Sequence, residues 1–270
     1  MVDELSLDRI LSYSHKTGVT SPPLRIRKAQ LSAQREFDAF LTYYPAGLQQ
    51  RAHEHDCAQF SLILAGSLTE WVEGREHAVG PGQASTKPIG IAHADSYGPQ
   101  GAVLLSFHLR CEDTARQVIG HGDWHWRLPS KFGPAPSLKS SDPVGRADML
   151  WDVLGATGNR TSDGIPPAWL RWARAELDRR GPVDLAELAA QAGVHRVHFS
   201  REFARYYGLV PSGYRQRQMA ARALRALIDD GLPAASAAQD AGFSDQSHMI
   251  RAIRTTFGTT PRQIAVLLRH

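Results

Sequence analysis

Residues 237–252 read Ala-Ala-Gln-Asp-Ala-Gly-Phe-Ser-Asp-Gln-Ser-His-Met-Ile-Arg-Ala: a small-residue run closed by Gly242 and a hydrophobe, then a second run that carries a cation. The same design stands 50 residues earlier. There Ala189-Ala-Gln-Ala-Gly-Val194 leads into His195-Arg-Val-His-Phe-Ser-Arg-Glu-Phe203, and His198, Arg201, Gly208 and Pro211 recur as His248, Arg251, Gly258 and Pro261. A helix, a Gly-containing turn and a second helix make a helix-turn-helix, whose second helix lies in a DNA major groove.

Periodicity supports each half. Leu185, Leu188, Ala189 and Ala192 fall at i, i+3, i+4 and i+7, so one stripe of the first helix is apolar. In the next helix Phe199, Phe203 and one of Tyr206 and Tyr207 point inward, leaving Val197, Ser200, Arg201 and Ala204 on the opposite stripe with Arg196 and Arg205 beside it. In the second unit Met249, Ile253 and Phe257 face inward, and Gln246, Ser247, Ile250, Arg251 and Arg254 face out. Arginine reads guanine and glutamine reads adenine through paired hydrogen bonds. The competing reading is two ordinary helical hairpins, because Gly after an amphipathic helix is also a common C-cap. Charge argues against it: residues 169–270 hold 15 Arg, no Lys and 9 Asp plus Glu, a net of +6, while residues 1–168 hold 16 Lys plus Arg and 18 Asp plus Glu, a net of −2. The basic excess sits in the repeat region, as a phosphate-binding module requires.

On Leu-Ala-Glu-Leu-Ala (185–189), Ala-Gly-Val (192–194), His-Phe-Ser-Arg-Glu-Phe (198–203), Pro211-Ser-Gly-Tyr214, Ala-Gly-Phe-Ser-Asp-Gln-Ser-His (241–248) and Thr-Pro261, residues 167–270 resemble the DNA-binding domain of AraC/XylS-type transcription regulators. The resemblance implies two helix-turn-helix units joined by a long helix, here Pro211 to about Ile228, with base-reading positions at Arg196, Val197, Ser200 and Arg201 and at Gln246, Ser247, Ile250 and Arg251. It departs from the family at Met249 and Ile253, where aromatic residues are usual, and at Ile264-Ala265 in place of an aromatic-Arg pair. Val197 and Ile250 can meet a thymine methyl but form no hydrogen bond with a base, so discrimination is expected from Arg201, Arg251, Arg196 and Gln246.

The front half reads as β: Phe60–Leu64 is a short apolar run, Leu68–Val79 carries Glu73-Gly74-Arg75 between β-prone flanks, and Val103–Leu109 is a further strand. Short strands punctuated by Gly and Pro suggest a barrel or sandwich. Gly47-x5-His53-x-His55-x3-Gln59-x6-Gly66, followed by Gly82-x5-Pro88-x-Gly90-x2-His93, resembles the two motifs of the cupin barrel, with Gln59 where the metal-binding pattern has Glu and Tyr97 where it has Asn. His53 and His55, at i and i+2, share a strand face, and a second strand can bring His93 opposite them. Two readings stay open: a divalent transition metal (Zn, Fe, Ni or Mn) held by His53, His55 and His93, or a metal-free pocket in which these side chains and Gln59 bind a small effector. His108 can join either arrangement or face solvent, His77 is expected to be exposed in its hairpin, and no acid-base carboxylate is evident in the barrel.

The remaining features bound the class. A chain of 270 residues allows two domains. No apolar run reaches membrane-spanning length, and the acidic N-terminus lacks the regions of a signal peptide. Two cysteines, Cys57 and Cys111, give neither a disulfide framework nor zinc-finger spacing, so a reduced cytoplasmic setting is expected. Residues 120–141, with Pro129, Pro134 and Pro136, read as loop, and Trp124 and Trp126 as local packing. Residues 142–155 form a helix with Pro143 in its first turn, whose Met149, Leu150, Val153 and Leu154 serve either as a dimer interface or as packing on the same chain's barrel. Residues 157–167, polar and rich in Gly and Pro, read as the interdomain linker.

The expected architecture is α+β in two domains: a cupin-like sensor at 1–110, a helical connection with a possible dimerisation helix and linker at 111–165, and a DNA-binding domain with two helix-turn-helix units at 166–270. A fragment from Pro166 onward should fold and bind alone. The expected function is an effector-responsive transcription regulator of double-stranded promoter DNA, not an enzyme, with RNA polymerase and a homodimeric state implied by the resemblance. Its rival is a metal-dependent cupin oxygenase or isomerase carrying a DNA-binding appendage.

Overall fold

The computed structural model describes residues 24–119, 125–128, 149–156, 160–161, 165–179, 181 and 183–269. Most of the 120–141 segment, the start of the 142–155 helix, Trp124 and much of the 157–167 linker therefore lie outside the described residues. The N-terminal domain is an antiparallel β-barrel and the C-terminal domain is helical, as the sequence predicts.

The strands are β1 (Arg27–Ala33), β2 (Phe37–Tyr44), β3 (Gln49–His53), β4 (Ala58–Val72), β5 (Arg75–Val79), β6 (Ala84–Lys87), β7 (His93–Leu109), β8 (His125–Leu128) and β9 (Arg160–Thr161). They form one sheet ordered β1-β2-β7-β4-β6-β8-β9, with β3 also paired to β7 and β5 to β4. The long β4–β7 ribbon is its spine. Its register shifts between Ile63 and Ala65 and again between Gly66 and Leu68, and such bulges increase twist and let a sheet curl around a cavity. Gly66, at φ 80°, marks the closest approach: a Cβ there would sit 2.0 Å from the Gly101 carbonyl oxygen. The predicted turn at Glu73-Gly74 joins β4 to β5, pairing Val72 with Arg75.

Two strands extend the barrel past residue 110. β8 pairs with β6 and β9 with β8, so the 111–165 segment is not a plain helical connection; its Pro and Gly residues hide a four-residue strand. Helix α1 (Glu112–Ile119) follows β7, and α2 is Met149–Ala156. Met149, Leu150 and Val153 are buried in their own chain, which favours packing over the dimer interface for this helix; Trp151 stays exposed. Cys57 and Cys111 are unbridged and half-buried.

The helical domain comprises α3 (Ala168–Asp178), α4 (Leu185–Gln191), α5 (Arg196–Tyr207), α6 (Pro211–Ile228), α7 (Ala234–Ala241), α8 (Gln246–Phe257) and α9 (Pro261–Leu267). Local chemistry sets its boundaries. Asp184 caps α4 by accepting from the Ala186 and Glu187 amides, Asp245 caps α8 by accepting from the His248 amide, and Thr260 with Gln263 forms a capping box on α9. Gly242, at φ 90°, ends α7 in the left-handed conformation that side chains resist.

The linking helix α6 is buried nearly all round from Arg217 to Leu224, which requires neighbours on several sides. It packs on both helix-turn-helix units and on the barrel. Arg217 donates to the Leu64 carbonyl at 2.9 Å and Gln218 to that of Gly66 at 3.4 Å, both on β4. This cover accounts for the apolar residues Phe60, Leu62 and Leu64 on the outer face of β4, which join the core shared with the helices. The two units differ in their cores. The second shares one apolar cluster with the barrel, running from Leu41, Leu105 and Phe107 through Met219 and Leu224 to Met249, Ile253 and Phe257. The first keeps a separate cluster of Leu170, Leu188, Phe199, Phe203, Tyr207 and Tyr214.

Candidate nucleic-acid interface and barrel cavity

On α5 the periodicity places Phe199, Phe203 and Tyr207 inside, and Arg196, Val197, Arg201 and Arg205 are exposed, with Ser200 half-buried. His195 precedes them as N-cap, its Nδ1 accepting from the Val197 amide at 3.3 Å. Arg205 is engaged locally, 3.5 Å from Glu202 and over the Tyr206 ring. On α8 Gln246, Ser247, Arg251 and Arg254 are exposed. Ile250, predicted to face outward, is half-buried and packs against the shared core; its stripe borders the buried Met249 and Ile253, and an apolar side chain at that border turns toward them. Among the described residues Arg196, Arg201, Arg251 and Arg254 form no ion pair, which leaves four cations on the two second helices. Exposed, unpaired guanidinium groups suit a polyanion.

Inside the barrel a cavity of about 230 Å³ gathers the motif residues. His53 and His93 pair directly across β3 and β7, and the ring centroids of His53, His55 and His93 lie 4.3–5.2 Å apart. One nitrogen from each of the three rings falls within 4.8 Å of the other two. The Nδ1 atoms of His53 and His93 lie 2.9 Å and 3.0 Å from the carbonyl oxygens of Arg51 and Ile91. A carbonyl only accepts, so each Nδ1 carries the proton and, in the neutral ring, Nε2 offers a lone pair. Burial, reinforced by the neighbouring His93 and Lys87, holds His55 down to about 3, and burial with Lys87 holds His93 down to about 4. The His55 and His93 rings are therefore neutral at physiological pH, the state in which imidazole ligates. This donor set fits the divalent transition metal expected of such a barrel. Gln59 is buried and lines the same cavity. His108 lines it too, its ring 6.4 Å from His55, and is held down to about 4 by burial and Lys28. His77 is half-buried rather than exposed and stands outside this cavity.

The expectation that the barrel lacks a carboxylate is wrong. Glu70 and Asp95 are both buried, lie directly opposite each other on β4 and β7, and line the cavity. Glu70 forms an ion pair with Lys87 and accepts from the Trp126 indole at 2.8 Å. Trp126 is local packing, as expected, but it also supports a charged group. Burial pushes the Asp95 carboxyl up to about 6, with Lys87 pulling the other way. Asp95 follows His93 by two on the same strand, so extending the period-2 rule from His93 finds it; Glu70 and Lys87 follow only from the strand register.

A second cleft, about 850 Å³, separates barrel residues such as Ala78, Tyr97 and Trp126 from α3 and the end of α5, represented by Arg171, Arg174 and Tyr207. Leu68, Tyr97 and Trp126 line both spaces and so form the wall between them. Beside the cleft lies a buried polar hub. The Tyr214 hydroxyl donates to Asp178 at 2.8 Å and accepts from Arg174 at 3.0 Å and from Gln218 at 3.1 Å. Arg174 reaches the barrel through the Ala78 carbonyl at 2.7 Å, and Gln100 on β7 donates to the Asp178 carbonyl at 2.7 Å.

Residues 188–265 match the family model of a helix-turn-helix domain. No curated protein matches. Among solved structures the chain is similar to KdgF from Halomonas sp., with 21% identity over 37% of this chain and 92% of that one at a TM-score of 0.30. It is also similar to an RmlC-like cupin from Shewanella frigidimarina, with 18% identity over 38% and 91% at a TM-score of 0.31. A third is the C-terminal domain of AraT, a response regulator from Geobacillus stearothermophilus, with 20% identity over 38% and 88% at a TM-score of 0.36. No helix among the described residues is long and apolar enough to cross a membrane.

Proposed function

We propose that this chain, with an AraC-type helix-turn-helix domain behind a cupin-like barrel, is a sequence-specific transcription regulator whose DNA binding responds to a small effector in the barrel cavity. The observation that carries the reading is the pairing of two exposed, cation-bearing second helices with a polar cavity in a separate domain. Arg196, Val197, Ser200 and Arg201 on α5, and Gln246, Ser247 and Arg251 on α8, read bases, while Arg205 and Arg254 lie near the backbone. Ile250 contributes packing more than readout. His53, His55, Gln59 and His93 bind the effector. A divalent metal held by the three histidines would polarise an oxygen of that effector, and the chain's own groups then orient it: Asp95 and Glu70 accept hydrogen bonds, and Lys87 balances their charge.

The wall of Leu68, Tyr97 and Trp126 gives the cavity a route to the rest of the molecule. A ligand that shifts Trp126 disturbs the cleft, and with it the contact between Arg174 and the barrel that positions α3 against α5. Activation through RNA polymerase and binding as a homodimer on paired half-sites, in the cytoplasm, accompany this reading. Selection from a random duplex library with the full-length protein tests it. Enrichment of a bipartite site is expected, and recovery of unenriched sequence would refute it.

The rival reading, a metal-dependent cupin oxygenase or isomerase with a DNA-binding appendage, gains from one observation: Asp95, its pKa raised by burial, shares the barrel cavity with three imidazoles. Turnover of a compound that binds the cavity, abolished by His53→Ala, would favour it. Binding without turnover favours the regulator.

A further inference from the structure

The cleft between the barrel and the first helix-turn-helix unit has a volume of about 850 Å³. Small-molecule sites span roughly 300–1,000 Å³ and concentrate at domain boundaries such as this one. On the barrel side Tyr97 and Trp126 turn their polar tips away from it. The Tyr97 hydroxyl donates to Gln50 and the Trp126 indole to Glu70, each at 2.8 Å, and both acceptors belong to the barrel cavity. The cleft therefore meets the carbon surfaces of these two rings. Across from them Tyr207 stands at the end of α5, with the Arg174 guanidinium 5.2 Å over its ring. Arg174 is 9% exposed, and its bonds to the Tyr214 hydroxyl and the Ala78 carbonyl fix its plane at the back of the cleft. Arg75 on β5 and Arg171 on α3 line the same space, exposed and without an ion pair among the described residues, although Arg171 gives one bond to the Pro166 carbonyl at 3.3 Å. Two carboxylates line it as well. Asp178 is committed to the hub, where it accepts from Tyr214 and Gln218, and Glu76 offsets one guanidinium, so three cations against two anions leave the cleft one positive charge. His77, held below the ordinary imidazole value by burial, adds none.

We propose that this cleft is a second ligand site, separate from the barrel cavity, and that it takes a planar organic anion, a flat ring system carrying one acidic group. The ligand's ring packs against Tyr97, Trp126 and Tyr207 in the offset or edge-on arrangements that aromatic groups prefer. Its carboxylate takes paired hydrogen bonds from Arg171 or Arg75, because the guanidinium fork matches two carboxylate oxygens. The single negative charge cancels the positive excess of the walls. A cation is repelled by that excess, and a neutral polyol meets ring carbon where its hydroxyls need partners. Such a ligand touches the barrel, α3 and α5 at once and so holds the first helix-turn-helix unit in one placement against the barrel. That consequence rests on the regulator reading; the binding itself does not.

Calorimetric titration of the full-length protein with 2-naphthoate, a flat ring system with one carboxylate, against its uncharged counterpart 2-naphthamide tests the site. One equivalent of naphthoate is expected, with the amide weaker by about tenfold or more, as loss of a charge-assisted hydrogen bond implies. Arg75→Ala combined with Arg171→Ala should weaken naphthoate by a similar factor and leave the amide unchanged. Both side chains are exposed, and unchanged melting marks an intact fold; Arg171→Gln alone gives the same comparison where the double variant melts early. His53→Ala, which alters only the barrel cavity, should leave naphthoate affinity as it is. Equal affinity for acid and amide, or undiminished naphthoate affinity in the arginine variants, would overturn the proposal in favour of unselective apolar binding. Loss of binding in His53→Ala would move the ligand into the barrel and overturn it too, as would absence of binding by the unaltered protein. These titrations contain no DNA, so operator affinity measured with and without naphthoate reports on the regulator reading separately.

Discussion

At the scale of single residues, the reading side chains and the cavity histidines make separable claims. Arg201→Ala or Arg251→Ala should each cost about 1–3 kcal/mol at a cognate site and relax discrimination at particular base pairs, as loss of a bidentate guanine contact does. Affinity measured across operator variants decides it; an equal loss on every sequence would mean phosphate anchoring. Ile250→Ala should behave differently, lowering the melting temperature more than the sequence preference, because the side chain packs against the core shared with the barrel. The histidines give a pH dependence whose sign is fixed by their environment. His55, His93 and His108 have folded-state pKa values near 3–4, below the unfolded value of about 6.5, so between these values the unfolded chain binds more protons. Stability of the metal-free protein should therefore fall as pH drops from about 6.5 toward 4 and level off below. Asp95, raised to about 6, acts oppositely, taking up its proton in the folded state first. His108→Asn should flatten the acid limb, and melting followed from pH 7 to pH 4 would show it; an unchanged limb would mean that His108 is not held neutral.

At the scale of elements, the sequence is most legible where local chemistry decides. The starts of α4, α6, α8 and α9 follow from Asp184, Pro211, Asp245 and Thr260 with Pro261, whose effects reach only a few residues. The β4–β5 hairpin follows from Glu73-Gly74 for the same reason. What stayed hidden depends on distant partners. The sequence shows α6 as a connection, and only the barrel packed against it reveals why Arg217 and Gln218 are buried. Glu70 and Lys87 look like ordinary strand charges until the register sets Glu70 opposite Asp95 and β6 beside β4. β8 and β9 are too short to give a periodic signal. The two second helices carry a prediction of their own. Joined by one linking helix, they should enter successive major grooves one turn apart, about 34 Å, bending the DNA wherever the protein's own spacing is shorter. Footprinting should show two protected patches per chain, and a single patch would leave one unit without a role in reading.

At the scale of the whole molecule, the division of the apolar core matters more than the division of the chain. The second helix-turn-helix unit shares its core with the barrel through Met219, Leu224, Met249 and Ile253, whereas the first has a core of its own around Phe199 and Phe203 and meets the barrel through polar contacts at Arg174, Asp178 and Gln100. Apolar packing in a continuous core gives way only when the core opens, while a polar contact beside an open cleft exchanges readily with water. The expectation that a fragment from Pro166 folds and binds alone therefore needs revision: such a fragment would expose the face of α6 that the barrel covers. The first unit should remain folded in it and the second should be destabilised. In the full-length protein the amides of α7 and α8 should exchange only with opening of the barrel, and those of α4 and α5 should open independently and faster. An effector acting through the cleft would then change protection in α4 and α5 first, altering the placement of α5 while α8 stays fixed to the barrel. Hydrogen exchange resolved along the chain tests this. Equal protection of the two units, or a slower first unit, would show that the shared core does not govern how the molecule moves.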